Sequence, residues 1–369
     1  MKHFPLAKPE ITQADRKAVN DVLNSQYLSR GPVVKAFENK FSQLLQINYA
    51  SAVSSGTAGL IIALQALKVK KNDEVITVSF TVPATVNSIL TVGAKPIMID
   101  IEEDTLGMCP QALVQAVNDK TKAIIVVHAF GKAAQIHEII NIAKQYKIPV
   151  IEDACEAIGN QFNKKILGTL ADIGVFAFYP NKQITTGEGG MLITHDEELY
   201  QKFEILKNHG RTMNGDLYDQ ISFGWNFRLS DINAALGLSQ LQRISEIIKK
   251  RQQIAKYYSR FLQHSAQIKS PSFSSKEQKS AWFVYVIQVQ NPDKIKQKLQ
   301  SRNIQSGRYF APVHLQPYYR KLFPGIKLPI TEKIANQTLA LPFYTQLQQG
   351  DIEIISCELF NTLKSDKIL

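Results

Sequence analysis

Lys182 lies in the run Phe178-Tyr179-Pro180-Asn181-Lys182-Gln183-Ile184-Thr185-Thr186-Gly187-Glu188-Gly189-Gly190, directly after the apolar segment Ile173 to Phe178. A lysine at a strand end invites imine chemistry. A solvated ammonium stays protonated at neutral pH, whereas apolar walls or a neighbouring cation favour the free amine, which attacks carbonyls. The glycines that follow permit close backbone approach. Taken alone, a lysine in a loop reads first as a solvated turn residue, so its companions decide.

Upstream, Lys147-Ile148-Pro149-Val150-Ile151-Glu152-Asp153-Ala154-Cys155-Glu156-Ala157 reads as a short buried strand ending in an acid. Asp153 could cap a following helix, or it could hold the protonated ring nitrogen of pyridoxal phosphate (PLP) and keep that ring electron-withdrawing. A third element, Ser51-Ala52-Val53-Ser54-Ser55-Gly56-Thr57-Ala58-Gly59-Leu60, leads into apolar Leu60, Ile61, Leu64 and Leu67. That spacing is one face of a helix. Gly56 and Thr57 then stand at its N-terminus, where free N–H groups and the dipole favour a phosphate, although Ser-Gly-Thr is also an ordinary cap.

In this chain order, a helix start suited to an anion, a strand-end Asp and a strand-end Lys resemble the fold-type-I PLP enzymes. More narrowly, the chain resembles the DegT/StrS family of sugar-nucleotide aminotransferases. The likeness runs through Pro5-Leu6-Ala7-Lys8-Pro9, Tyr27-Leu28-Ser29-Arg30-Gly31-Pro32, Ser54 to Ala58, Glu152-Asp153-Ala154, Asn181 to Gly190, Gly224-Trp225-Asn226-Phe227-Arg228-Leu229 and Leu339-Ala340-Leu341-Pro342-Phe343-Tyr344. It implies a large domain with a mainly parallel sheet between helices and a smaller C-terminal α+β domain.

The resemblance also implies roles. Lys182 would carry the imine link and shuttle the substrate proton, Asp153 would pair with the ring nitrogen, and Gly56 and Thr57 would cradle the phosphate. Asn226 would reach the cofactor phosphate of a neighbouring subunit, making the protein an obligate homodimer with composite active sites. Glu156 stands where many relatives carry Gln or His near the cofactor's phenolic oxygen. A glutamate there resembles the perosamine-synthase-like branch, which aminates C4 of a nucleotide-linked 4-keto-6-deoxyhexose; the alternative is a solvated helix-start acid. By family habit the amino donor is L-glutamate. Arg228, Tyr309 and His314 are candidate substrate contacts, Lys207 to Arg211 a loop near the site, and His128 a packed strand-end residue.

Two positions depart from the family pattern. Ala177 stands where relatives usually place a phosphate-binding serine, and Val82 where they usually stack an aromatic ring on the cofactor. Phe80, on the same strand face by period two, is expected to substitute in part. Competing readings are a C3-specific aminotransferase, a PLP-dependent deoxysugar dehydratase and a PLP-binding regulator without turnover. Lys182 argues against the dehydratase, because such relatives carry histidine there.

At 369 residues and 44% hydrophobic content, the chain is long enough for a large and a smaller domain. Cys109, Cys155 and Cys357 form no close pair and no metal spacing, which fits a reduced, cytoplasmic protein with no metal. The start lacks a long apolar stretch and no long apolar run follows, so neither secretion nor a membrane span is expected. The net charge of +11 raises nucleic acid as a partner; the basic runs Lys68 to Lys71 and Lys249-Lys250-Arg251 read instead as solvated helix surface.

Candidate strands are Glu74 to Phe80, Lys95 to Ile101, Ala123 to His128, Pro149 to Asp153, Ile173 to Phe178 and Gly190 to Thr194, with helical patterns between several of them. Such alternation predicts a parallel sheet with its site at the carboxyl ends of the strands. A long amphipathic stretch after Ser230-Asp231, through Leu238, Leu241, Ile244, Ile248 and Phe261, is expected to carry the chain out of the large domain. Ser270 to Lys279 reads as loop, and Trp282 to Val289 as the strand that opens the small domain. The expected division is residues 1–245 for the N-terminal arm and large PLP-binding domain, and 246–369 for the small one.

Overall fold

The computed structural model describes residues 2–212, 219–272 and 278–364. Its strands in chain order are β1 (Tyr49–Val53), β2 (Glu74–Val78), β3 (Lys95–Ile99), β4 (Thr121–Val127), β5 (Val150–Asp153) and β6 (Gln161–Phe162). They continue with β7 (Lys165–Ile166), β8 (Ile173–Ala177), β9 (Gly190–Thr194), β10 (Gln278–Lys279), β11 (Tyr285–Gln288) and β12 (Thr338–Leu341). Among the described residues, seven of these form the central sheet in the order β1-β9-β8-β5-β4-β2-β3. Only β9 runs against its neighbours, pairing antiparallel with both β1 and β8, while the pairs from β8 to β3 are parallel.

The expected α/β class and mainly parallel sheet are therefore present. Both faces are covered, as alternation along the strands requires: Ile124 and Val126 of β4 pack into a core with Ile136 and Ile139, and Ala123 and Ile125 into another with Leu60 and Phe203. One edge strand of the central sheet escaped the sequence reading. In β1, Ser51, Ala50 and Ala52 give little apolar bulk, yet β1 closes the sheet beside β9. The helix Gly56–Ala66 also differs from expectation, because Leu60, Ile61, Ile62, Ala63 and Leu64 are all buried and no single face stands out.

After Ser230, which caps by accepting from Asn233 N–H, the expected long helix is two helices, Asp231–Gln242 and Ile244–Leu262, broken at Arg243. Ile244 and Ile247 pack into the large core, whereas Ile254, Tyr258 and Leu262 join a second core with Tyr285, Leu339 and Leu359. We propose the division into residues 1–245 and 246–369 on this ground, with the helix's first turn as the joint. The chain start crosses it: Phe4 lies in the second core, and Leu6 C=O accepts from Phe343 N–H at 3.0 Å. Of the expected Ser270 to Lys279 loop, residues 273–277 lie outside the described residues, and Gln278–Lys279 pairs with β6.

Lys207, the first residue of the loop expected near the site, rivets β1 to its flanking helices. Its ammonium, buried, lies 3.1 Å from Glu38 and 2.5 Å from Glu204 and donates to Ser51 Oγ at 2.9 Å. Burial alone would lower the ammonium, but the two carboxylates prevail and raise it. Lys207→Met should cost about 3–5 kcal/mol, because two carboxylates lose the partner that offsets their burial. Urea denaturation measures this, and a loss below about 1 kcal/mol, the size of an exposed pair, would contradict it.

Candidate active site

The lysine loop hangs between β8 and β9. Phe178 N–H donates to Gly189 C=O at 2.9 Å, Thr186 N–H to Phe178 C=O at 3.0 Å, and Lys182 N–H to Tyr179 C=O at 2.9 Å. Gln240 Oε1 takes the Thr185 N–H at 2.9 Å, tying the loop to the helix Asp231–Gln242. Gly190 has no room for a side chain, since a Cβ there would lie 2.6 Å from the carbonyl of Ser55. This contact sets the lysine loop against the start of the helix Gly56–Ala66.

Ser55 caps that helix by accepting from Ala58 N–H at 3.0 Å, and its carbonyl accepts from Gly59 N–H. The N–H groups of Gly56 and Thr57 are left without a partner inside the helix. A cavity of ≈ 340 Å³ opens here, lined by Gly56, Thr57, Asp153, Glu156 and Lys182 together with Tyr309. Six of the residues expected from sequence thus meet at one place, at the carboxyl ends of β1, β5 and β8.

Asp153 ends β5, and a run of turns rather than a helix follows, so it caps no helix. Its Oδ2 accepts from the Thr85 hydroxyl at 2.9 Å and its Oδ1 from Cys155 N–H at 3.3 Å. Glu156 is likewise no helix-start acid. It is 7% exposed, accepts from Phe130 N–H at 2.8 Å through Oε2, and places Oε1 3.4 Å from Lys182 Nζ. Burial raises the carboxyl above its ordinary value, and the opposing pull of Lys182 does not cancel that. On its other side, the Lys182 ammonium sits 4.1 Å from the centre of the Phe283 ring.

Several wall residues were not foreseen: Phe283, Tyr179, Glu188 and Cys155. Phe283 comes from beyond the joint, which no local spacing reveals; Glu188 was visible only as part of the lysine motif. Burial and the neighbouring Asp153 carboxylate push the Cys155 thiol well above its ordinary value, so it packs as a neutral group. Val82 and Ala177 do line the cavity. Phe80 does not take Val82's place: β2 ends at Val78, the period of two ends with it, and Phe80 is buried against Phe130 and Phe310.

Other expected residues lie apart. His314 is 2% exposed, with Nδ1 2.7 Å from Ser79 Oγ and Nε2 3.2 Å from Glu332, and it does not line this cavity. His128, as expected, is packed, with Nε2 2.9 Å from Glu152. Its Nδ1 accepts from Ala134 N–H at 3.3 Å, so the proton sits on Nε2 and points to that carboxylate. Asn226 is exposed, and Arg228 borders a different cavity with Arg30 and Lys207, donating to Asn208 Oδ1 at 2.8 Å. Burial and the charges of Arg30 and Arg211 lower the Arg228 guanidinium.

The cavity suits PLP. Unpaired N–H groups and a glycine cradle, where a Cβ would lie 2.9 Å from Ala177 and Cys155, suit the phosphate; a buried carboxylate suits a ring N–H; a lysine suits the aldehyde. A mainly parallel sheet with these groups at its carboxyl edge defines a fold-type-I PLP enzyme. The chain belongs to the DegT/DnrJ/EryC1/StrS aminotransferase family, whose sequence profile matches residues 9–359. It is 34% identical to the GDP-perosamine synthase of Escherichia coli O157:H7, over all of both chains. Among solved structures it resembles Helicobacter pylori PseC, an aminotransferase involved in the biosynthesis of pseudoaminic acid, with a TM-score of 0.94 and 28% identity over 99% of this chain and 100% of that one. The PLP-form of Spr1654 from Streptococcus pneumoniae superimposes with a TM-score of 0.94 and 28% identity over the whole of both chains. The protein is a PLP-dependent aminotransferase, and among the described residues no helix is long and apolar enough to cross a membrane.

The raised Glu156 carboxyl makes a signed prediction. The folded chain keeps this proton at pH values where the unfolded chain has lost it, so stability falls as pH rises from 4.5 through the folded value. Glu156→Gln removes that slope. Urea melts of cofactor-free protein across this range should show the wild type losing stability relative to the variant, and a relative gain would reverse the assignment.

Proposed function

We propose that the protein transfers the amino group of L-glutamate to C4 of a nucleotide-linked 4-keto-6-deoxyhexose, as a homodimer with composite active sites. The observation that carries the reading is the convergence of Lys182, Asp153, Glu156 and the helix start at Gly56 on one cavity. Similarity to a GDP-perosamine synthase along the full chain supports the sugar class, and Glu156 supports C4.

When bound, PLP supplies an electron-withdrawing ring that stabilises the electron pair left when the donor loses its α-proton. Asp153, held by Thr85, keeps the ring nitrogen protonated. Gly56 and Thr57 would donate to the phosphate, and Glu156 would present its carboxyl to the phenolic oxygen. Lys182 Nζ anchors the cofactor and then takes and returns the substrate proton. Tyr309, whose hydroxyl lies 3.5 Å from Asn181 Nδ2, borders the place left for the sugar. We assign His314 to packing.

The charge of the cavity supports the dimer. Among the described residues lining the cavity, Lys182 is the only cation, and it would be taken up in holding the cofactor, so a further donor to the phosphate from a partner would be favourable. The exposure of Asn226, close in sequence to Arg228 and to exposed Ile221 and Phe223, supports its serving as a donor to a partner's cavity. Arg228 then meets the substrate's diphosphate or the donor's carboxylate across the same interface.

Screening the purified enzyme with glutamate against nucleotide-linked 4-keto and 3-keto sugars, with the amination position read by NMR, tests the substrate. A C4 amine is expected, and a C3 amine would overturn that part. Lys182→Ala should lose at least about 10²-fold to 10⁴-fold in turnover, the worth of a positioned acid–base group; near-wild-type turnover would contradict the mechanism. Mixing inactive Lys182→Ala with inactive Asn226→Ala should restore activity, because one site of each heterodimer then carries both lesions and the other neither. No recovery despite demonstrated subunit exchange would refute the composite site.

A further inference from the structure

Arg251 is 4% exposed, and among the described residues no carboxylate meets its guanidinium. Burial pulls it down to about 10. Burying a cation without an opposite charge is costly, so the bonds it does make need an account. Nε donates to Trp282 C=O and Nη2 to Phe283 C=O, both at 2.6 Å, and the guanidinium carbon lies 5.0 Å from the centre of the Phe343 ring. Gln252, its neighbour on the helix Ile244–Leu262, donates to Ser280 C=O at 2.8 Å. Two adjacent side chains therefore hold three carbonyls of one short segment.

That segment is strained. Trp282 has φ 54°, in the left-handed region that bulky residues avoid, and such a conformation persists only where its surroundings over-determine it. The next residue is Phe283, whose buried ring faces Lys182 Nζ at 4.1 Å. A flat ring over an ammonium attracts it electrostatically. The planar fork of an arginine spans two carbonyls where a lysine is a point donor.

We propose that Arg251 is a positioning residue for the reaction: by gripping the carbonyls of Trp282 and Phe283 it fixes the left-handed turn that lays the Phe283 ring over the Lys182 amine. The inference rests on Lys182 being the reacting amine. Arg251 lies on the helix that joins the two cores, so it ties the packing of the smaller unit to one wall of the catalytic cavity. Phe283 covers that side of the amine and so would limit the approach of water and small nucleophiles to the carbon that the amine bonds.

Hydroxylamine, which takes PLP from lysine and frees the amine, reports this shield through absorbance independently of turnover. Well below the melting temperature, Arg251→Met and Phe283→Ala should each speed release by about tenfold or more, and the double variant should be no faster than the faster single, because the two residues act through one contact. An Arg251→Met rate within about twofold of wild type, or a double variant showing the product of the single effects, would overturn the proposal. If Arg251→Met fails to fold, Arg251→Lys carries the test, and wild-type release from it would overturn the proposal equally, since a lysine cannot span both carbonyls. Full turnover by Lys182→Ala would instead mean that the underlying assignment, and not the shield, has failed.

Discussion

The active site depends on one strand running the wrong way. β9 lies antiparallel between β1 and β8, with Gly190 opposite both Val53 and Ala177. The loop joining β8 to β9 must therefore turn back within the carboxyl edge of the sheet, and Lys182 lies in that loop. On the other flank, β1 ends beside the same glycine and leads directly into the helix at Gly56. Because Gly190 lacks a side chain, the two backbones come close enough to put the amine and the unpaired helix N–H groups around one cavity.

Buried charge holds this edge in place. Glu152, the residue before Asp153, accepts from Gly168, Leu170 and Ala171 N–H at 2.7–2.8 Å as well as from His128. Asp231 accepts from Gly31, Val33 and Val34 N–H and so fixes the start of the helix Pro32–Leu45. Each carboxylate is stabilised by several donors, and each would be left costly if they moved. Removing one partner from such a group leaves a buried charge uncompensated, and the same carboxyl edge holds Lys182 between the Glu156 carboxyl and the Phe283 ring.

Much of this was legible in the sequence because it is local. The apolar segments before Asp153 and Lys182 announced strands, their last residues announced the carboxyl edge, and Ser55-Gly56-Thr57 announced a helix start. What stayed hidden depends on tertiary contact. Tyr49–Val53 is strand because β9 needs a partner, not because its residues demand it. Phe80 was misplaced because the period of two was carried past Val78, where the strand ends. Phe283 reaches the cavity from a segment beyond residue 245, through a turn at Trp282 that no propensity favours, and Arg251 touches only the backbone of that segment; no spacing along the chain could have joined them to Lys182.

The central claim is that Lys182, and no other lysine, bonds to the cofactor. Borohydride reduction of the PLP-loaded protein fixes that bond permanently, and peptide mapping by mass spectrometry locates the added phosphopyridoxyl group. The account predicts a single modified peptide, the one spanning Lys182, with Asn181 and Gln183 unmodified beside it. A principal adduct on any other lysine, or none on Lys182 in protein that has bound PLP, would contradict it.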